Sequence, residues 1–471
     1  MDIMIRFMRF LMFVAIVWLS SFELLAQSKV AEIFSRANDG DPKAQYILGL
    51  SYMDGENGIT KPDSLQAIYW WKLASDNGHS AAQVALGYRF YTKNDYNNAF
   101  KYWKLAADQN NNTALRNIGI LYLNGEGVES SDELAYQYFY KSAQFGNASS
   151  QIDIADKALA KRDSISAMFW YNAVLDINAH NNVDTEKKAL DKLKALSTIK
   201  NEYRYKALFY IGDYYSYREE FSEAEKYFKD AVSEGSIEAM AGLGSMYERI
   251  DRIKAGDEIY VVNEEESKSN DQSAVQRYMQ NNTRGSNDNA AYWYELAVKY
   301  GADEWIYEGS HLLYWFLYRT YLNGWGVSKD FVKAAHNLDE FIKKGGIFDC
   351  TEYCRLGDLY SLGGNGLEQD FNKAISCYQK SIELYEADGW ALTGIGRCWY
   401  FCKAYEMAVK YFQLASEGDY ITAEPMRFLS RCYRYGRGVK QDETKAEYWH
   451  RKALEEEDPE AMALAKLIGD N

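Results

Sequence analysis

The residues best suited to chemistry lie in the C-terminal half: Arg319, Arg397, Arg427, Arg431 and Arg434, with Trp315 and Tyr400 among them. A guanidinium is a planar fork of donors that holds a carboxylate through two parallel hydrogen bonds. The chain carries 53 Lys and Arg against 68 Asp and Glu, a net charge of −15. Against that balance, a concentration of guanidiniums points to a local anion site. Its expected ligand is an acidic segment or a peptide C-terminus. The competing reading is internal, with Asp358 and Glu424 pairing with these arginines as a solvated network. The net charge argues against a general nucleic-acid binder, which needs broad positive potential.

Other reactive constellations are missing from the sequence. The histidines (His79, His180, His311, His336, His450) are scattered, without a second ligand at metal spacing. There is no HExxH, no phosphate-cradling Gly-Lys-Ser/Thr loop and no Gly-x-Ser-x-Gly elbow. Acid pairs such as Glu455 and Glu457 read as a solvated helix end. No catalytic residue, metal or cofactor is therefore expected, and the chain reads as a non-enzyme. The six cysteines (Cys350, Cys354, Cys377, Cys398, Cys402, Cys432) all fall in the last third. Cys350/Cys354 and Cys398/Cys402 are four apart on one helix, a poor geometry for bridging each other. Free thiols and bridges to other cysteines both remain open.

The elements that position these residues follow a pattern seen most clearly from Ala114 to Gly146. Ala114, Ile118, Gly119 and Tyr122 have the spacing of one helix face. Gly125 and Gly127 can turn the chain, Ser131 caps a second helix, and Ala135, Tyr138, Phe139 and Ser142 face inward. This is a helical hairpin with a small-residue seam of Gly119 against Ala135. A single hairpin cannot bury both faces, so such units stack. With 471 residues, 47% hydrophobic and only four prolines, the chain is long enough for a continuous all-helical core. Its 40 tyrosines are expected mainly as core wedges.

Residues 1–26 read separately. Arg6 and Arg9 precede an apolar run from Phe10 to Leu19, and Leu24-Leu25-Ala26 offers a cut, the layout of a secretory signal peptide. No further apolar span follows, so no membrane insertion is expected after its removal. A capping helix is expected at 27–43, hairpins at 44–174, a helical connector at 175–206 and more hairpins at 207–458. A polar insertion at about 250–288 is expected to be disordered, and 459–471 to form a C-terminal cap. Ala82 to Ala99, Ala207 to Ala224 and Ala391 to Ala408 are each 17 residues apart, whereas Ala114 to Ala135 is 21. The glycine-valine loop accounts for the extra four.

The long-turn hairpins, with Leu-Gly-x-x-Tyr-x-x-Gly-x-Gly-Val, resemble the Sel1-like repeat, and the short-turn ones its relative, the tetratricopeptide repeat. The resemblance implies an all-α, right-handed superhelical solenoid. It also implies an adaptor that holds a protein or peptide on its concave surface. For exported bacterial members it implies a periplasmic or cell-surface location. In the tetratricopeptide register the residue after each seam glycine faces the groove: Leu50, Tyr88, Ile120, Asp213, Ser245, Arg319, Asp358, Arg397, and Ser430 or Arg431. The expected binding set is Trp315, Arg319, Arg397, Tyr400, Arg427, Arg431 and Arg434. Two other functions remain open: a carbohydrate or peptidoglycan binder using Trp and Tyr as platforms, and an envelope hydrolase.

Overall fold

The computed structural model describes residues 31–55, 59, 61–176, 183–255, 289–300, 311–346, 351–385, 388–417 and 422–456. The expected leader, the 256–288 part of the polar insertion and the expected C-terminal cap lie outside the described residues, as do His180, Cys350 and Glu457. Among the described residues the regular structure is helical, apart from one isolated bridge between Gly364 and Leu367.

The chain forms two compact units that divide after Ala207. In the first, a helix over 31–38 (α1) leads into four hairpins. They pair α2 (Pro42–Asp54) with α3 (Ser64–Asp76), α4 (Ser80–Tyr91) with α5 (Tyr96–Ala107), α6 (Asn112–Asn124) with α7 (Asp132–Gln144), and α8 (Ala148–Ala160) with α9 (Ser164–Val174). A further helix, α10 (Val183–Ser197), packs on α8 and α9.

The second unit opens within α11 (Arg204–Tyr217), which is followed by α12 (Phe221–Ser233). Then α13 (Ile237–Ala255) pairs with α14 (Ala290–Lys299), α15 (Leu312–Asn323) with α16 (Phe331–Lys343), and α17 (Thr351–Leu362) with α18 (Phe371–Leu384). Last come α19 (Gly389–Phe401) with α20 (Tyr405–Ala415), and α21 (Ala423–Tyr435) with α22 (Glu443–Glu455). In both units the second helix of a hairpin packs on the first helix of the next. Each unit is an all-α solenoid of stacked hairpins.

Local chemistry explains the repeat. Asp63, Ser131, Asp330, Asp370 and Asp442 cap second helices by accepting backbone N–H groups of the first turn. The expected approach of Gly119 to Ala135 is present, with a tighter contact beside it. A Cβ on Gly119 would stand 2.8 Å from the ring of Phe139, closer than the 3.2 Å to the Ala135 carbonyl. The same holds for Gly212 and Phe228, Gly357 and Tyr378, and Gly396 and Phe412, each at 2.6 Å. The small seam alanine lets the helices approach, and the aromatic four residues later fills the notch that the missing side chain leaves.

Turn length follows from backbone angles. In the long turn, Gly125 and Gly127 both adopt left-handed φ, 70° and 72°. The short turns instead place a non-glycine residue there: Asn94, Arg162, Glu219 and Lys403, with φ of 59°, 62°, 60° and 63°. The helix α13 also runs further than the sequence pattern implied. Ile250, Asp251 and Ile253 are buried helical residues, so the expected insertion boundary near 250 moves to at least 255.

Candidate binding surface

The first helices of the hairpins carry the polar side chains that link one repeat to the next. In the first unit, Arg116 of α6 reaches Asp153 of α8 at 2.6 Å, and Lys192 of α10 reaches Asp156 at 2.8 Å. The second unit builds a denser arrangement. Arg319 of α15 lies 3.5 Å from Glu248 of α13, while Tyr294 donates to Glu248 at 3.0 Å. Burial holds the Glu248 carboxyl above its ordinary range, opposed by Arg319 and the Tyr294 hydroxyl. The guanidiniums of Arg252 and Arg319 lie 5.2 and 5.1 Å from the centre of the Trp325 ring, which is buried in the turn after α15.

The next link is centred on Arg397 of α19. Its Nη2 donates to Asp358 of α17 at 2.5 Å and to the Tyr378 hydroxyl at 3.0 Å, and its Nη1 to Glu424 of α21 at 3.3 Å. Tyr378 donates to the same Asp358 oxygen at 2.6 Å. Burial opposes the Arg397 charge, and Tyr378, Asp358 and Glu424 outweigh it, so the guanidinium is held protonated. Burial raises the Glu424 carboxyl, with Arg397 pulling the other way.

Arg397 therefore does not line an open groove. It is 4% exposed, and its charge is consumed between two carboxylates from flanking hairpins. The internal pairing with Asp358 and Glu424 is present, but it is buried rather than solvated. Tyr400 is likewise inside, its ring 4.9 Å from Phe428 and 5.3 Å from Tyr405, and its hydroxyl accepts from Arg437. Arg434 pairs across its own hairpin with Glu443 at 3.2 Å. Arg427 and Arg431 are part-buried on α21, and the Arg427 charge acts on Glu424.

Trp315 is part-buried on α15 and connects two further side chains to the expected set. Its ring packs 5.2 Å from Tyr318 and 5.3 Å from Phe341, and the Arg355 guanidinium lies 5.8 Å from its centre. Trp390 of α19 stands 5.7 Å from Arg355. The Trp390 indole N–H donates to the second oxygen of Asp358 at 2.9 Å. Three consecutive hairpins thus supply Trp315, Arg355 and Trp390. Sequence reasoning named only the first. Arg355 sits three residues before Asp358, so helical spacing puts it on the face already identified; Trp390 occupies the corresponding side of α19 two turns before Arg397.

The rest of the chemistry is structural. Among the described residues no group of His, Cys, Asp and Glu is placed to hold a metal ion. Asp358 and Glu424 stand on either side of Arg397 rather than facing one another across an open cleft. The five described cysteines are free. Burial pushes Cys398 up to about 12 and Cys377 and Cys432 up to about 11, so these three are not ionised nucleophiles at neutral pH. No helix among the described residues is long and apolar enough to cross a membrane.

Stacked hairpins linked through their first helices define a helical-repeat scaffold. Residues 42–79, 80–111, 113–147, 319–345, 353–385, 402–420 and 426–458 each match the Sel1 repeat, so the chain carries seven Sel1-like helical repeats. Repeats of this kind typically mediate protein–protein interaction. The chain is similar to c5321, a protective antigen of uropathogenic Escherichia coli with an SLR fold, at 21% identity over 90% of this chain and 79% of that one, TM-score 0.31. It is similar to a Sel1 repeat protein from Oxalobacter formigenes at 17% identity over 93% and 90%, TM-score 0.23. A third likeness is to the TPR domain of P58(IPK), 11% identical over 79% and 99%, TM-score 0.21. No curated protein matches the chain.

Proposed function

We propose that this chain is an exported repeat scaffold that binds a protein or peptide partner on the first-helix surface of its hairpins, in a bacterial periplasm or at a cell surface. The observation that carries the reading is the convergence of Trp315, Arg355 and Trp390 from α15, α17 and α19. Side chains gathered from separate repeats form an extended surface suited to an extended ligand. Export rests on the signal-like layout of residues 1–26.

Carbohydrate stacking has less support. Trp70, Trp71, Trp103, Trp170, Trp293 and Trp325 are buried, so their rings are not open platforms. Cross-linking tests the scaffold reading. A photoreactive amino acid at Tyr435, exposed on α21, is expected to capture a partner in cells, and one at Leu454, exposed on α22, is not. Capture only from Leu454 overturns the surface assignment. Mass analysis of the secreted product tests export, with Gln27 expected as the first residue.

A further inference from the structure

Two arginines that link first helices of the second unit have carboxylate partners. Arg319 has Glu248, and Arg397 has Asp358 and Glu424. Arg355 lies between these two pairs. Among the described residues no carboxylate pairs with it, and its Nε is buried without a hydrogen-bond acceptor. Asp358, one turn further along α17, does not serve it. One Asp358 oxygen takes Arg397 and Tyr378, and the other takes Trp390. The contacts of Arg355 are instead the two indoles and the buried Tyr318 hydroxyl.

That arrangement is a preorganised donor. The Asp358 bond fixes Trp390, and packing against Tyr318 and Phe341 fixes Trp315. The indoles hold the guanidinium without neutralising it, since a cation–π contact supplies attraction but no negative charge. Little side-chain entropy is then lost when an anion arrives. Trp390, 38% exposed, provides an apolar flank beside the charge. The net charge of −15 repels polyanions at long range, which disfavours nucleic acid and long acidic polymers.

Resting on the scaffold reading above, we propose that Arg355, framed by Trp315 and Trp390, takes one Asp or Glu side chain of a partner segment that is otherwise mostly apolar. The acidic side chain meets the guanidinium edge, and the flanking apolar side chains lie along the indoles.

The test is selection of a displayed random dodecapeptide library on the full chain, followed by affinity measurements on the enriched peptides. Peptides that carry an Asp or Glu amid apolar residues are expected. Changing that acid to its amide, or making Arg355→Gln, is expected to weaken binding about 10- to 100-fold, the range for a hydrogen-bonded charge pair. The two changes together are expected to cost little more than either alone. Arg355→Lys, which keeps charge but not the fork, is expected to recover only part of the loss. Thermal melting of each variant confirms that it is folded.

Enriched peptides that bind Arg355→Gln as well as wild type overturn this assignment while leaving the scaffold reading intact. Arg355-dependent binding of polygalacturonate without any peptide enrichment also overturns it, in favour of an acidic saccharide. If no peptide is enriched and Tyr435 cross-links nothing, both readings fall.

Discussion

Asp358 and Trp390 come from successive first helices, and the aspartate accepts the indole N–H at 2.9 Å while its other oxygen holds Arg397 at 2.5 Å. One carboxylate thus ties the buried ion pair to the exposed indole. Asp358→Asn leaves the amide with one acceptor oxygen for three donors and removes the charge opposite Arg397. The variant is expected to lose about 3–5 kcal/mol of stability, the cost of breaking a buried pair. Urea unfolding monitored by circular dichroism measures this. A loss below about 1 kcal/mol would show that the pair is not holding the repeats together.

The seam makes a second prediction. Gly396→Ala places a methyl 2.6 Å from the Phe412 ring, which is fully buried. The overpacked variant is expected to lose about 1–3 kcal/mol. Phe412→Ala alone is expected to cost about 3–5 kcal/mol by leaving a cavity. Gly396→Ala combined with Phe412→Leu is expected to be less destabilised than the sum of its parts, because the smaller side chain vacates the clashing space. Strict additivity in denaturant midpoints contradicts the wedge.

These two features also show what the sequence makes legible. Alanine and glycine at fixed helical spacing identify the hairpins, since every seam must admit a second helix at close range. The approach of Gly119 to Ala135 is legible in that spacing, whereas the filling of the notch by Phe139, one turn beyond Ala135, is visible only in the packed hairpin. The tetratricopeptide register puts Arg397 in the groove because it follows the seam glycine Gly396. Its partners Asp358 and Glu424 are 39 and 27 residues away in the chain, and only folding shows that they meet over it. Arg355 lay on an identifiable face, but its lack of a carboxylate is a property of the assembled neighbours.

Acid dependence is expected to differ in sign between two carboxylates. Hydrogen bonds from Lys192 and Tyr171 outweigh burial and lower the Asp156 carboxyl below 3.8. A depressed folded value stabilises the fold above the unfolded value and loses that contribution as pH falls through the folded one. Glu248 behaves oppositely. Its carboxyl is raised above 4.5 by burial, so its contribution is full below 4.5 and is lost as pH rises through the raised value. Melting curves from pH 3 to 8 are expected to show wild type losing more stability than Asp156→Asn at the acid end. Over the same range Glu248→Gln is expected to gain on wild type as pH rises from 4.5. Parallel pH profiles for all three proteins would contradict both assignments.

The cysteines supply the last prediction, because exposure and burial separate them sharply. Cys402 is exposed at the end of α19, whereas Cys354, Cys398 and Cys432 are buried. Iodoacetamide reacts with the thiolate, so a buried thiol raised to about 11 or 12 must await local unfolding. Native protein at pH 7.5, followed by peptide mapping, is expected to show Cys402 alkylated at least about 100-fold faster than Cys354, Cys398 or Cys432. The buried thiols are expected to react together once denaturant opens the second unit. Cys354 adds an internal check, since its sulfur lies 3.2 Å from Asp388 and 3.3 Å from Ser381 in a closed polar pocket. Recovery of a disulfide-linked peptide containing Cys398 or Cys432 from native protein would contradict this packing, because both thiols are free in the folded unit.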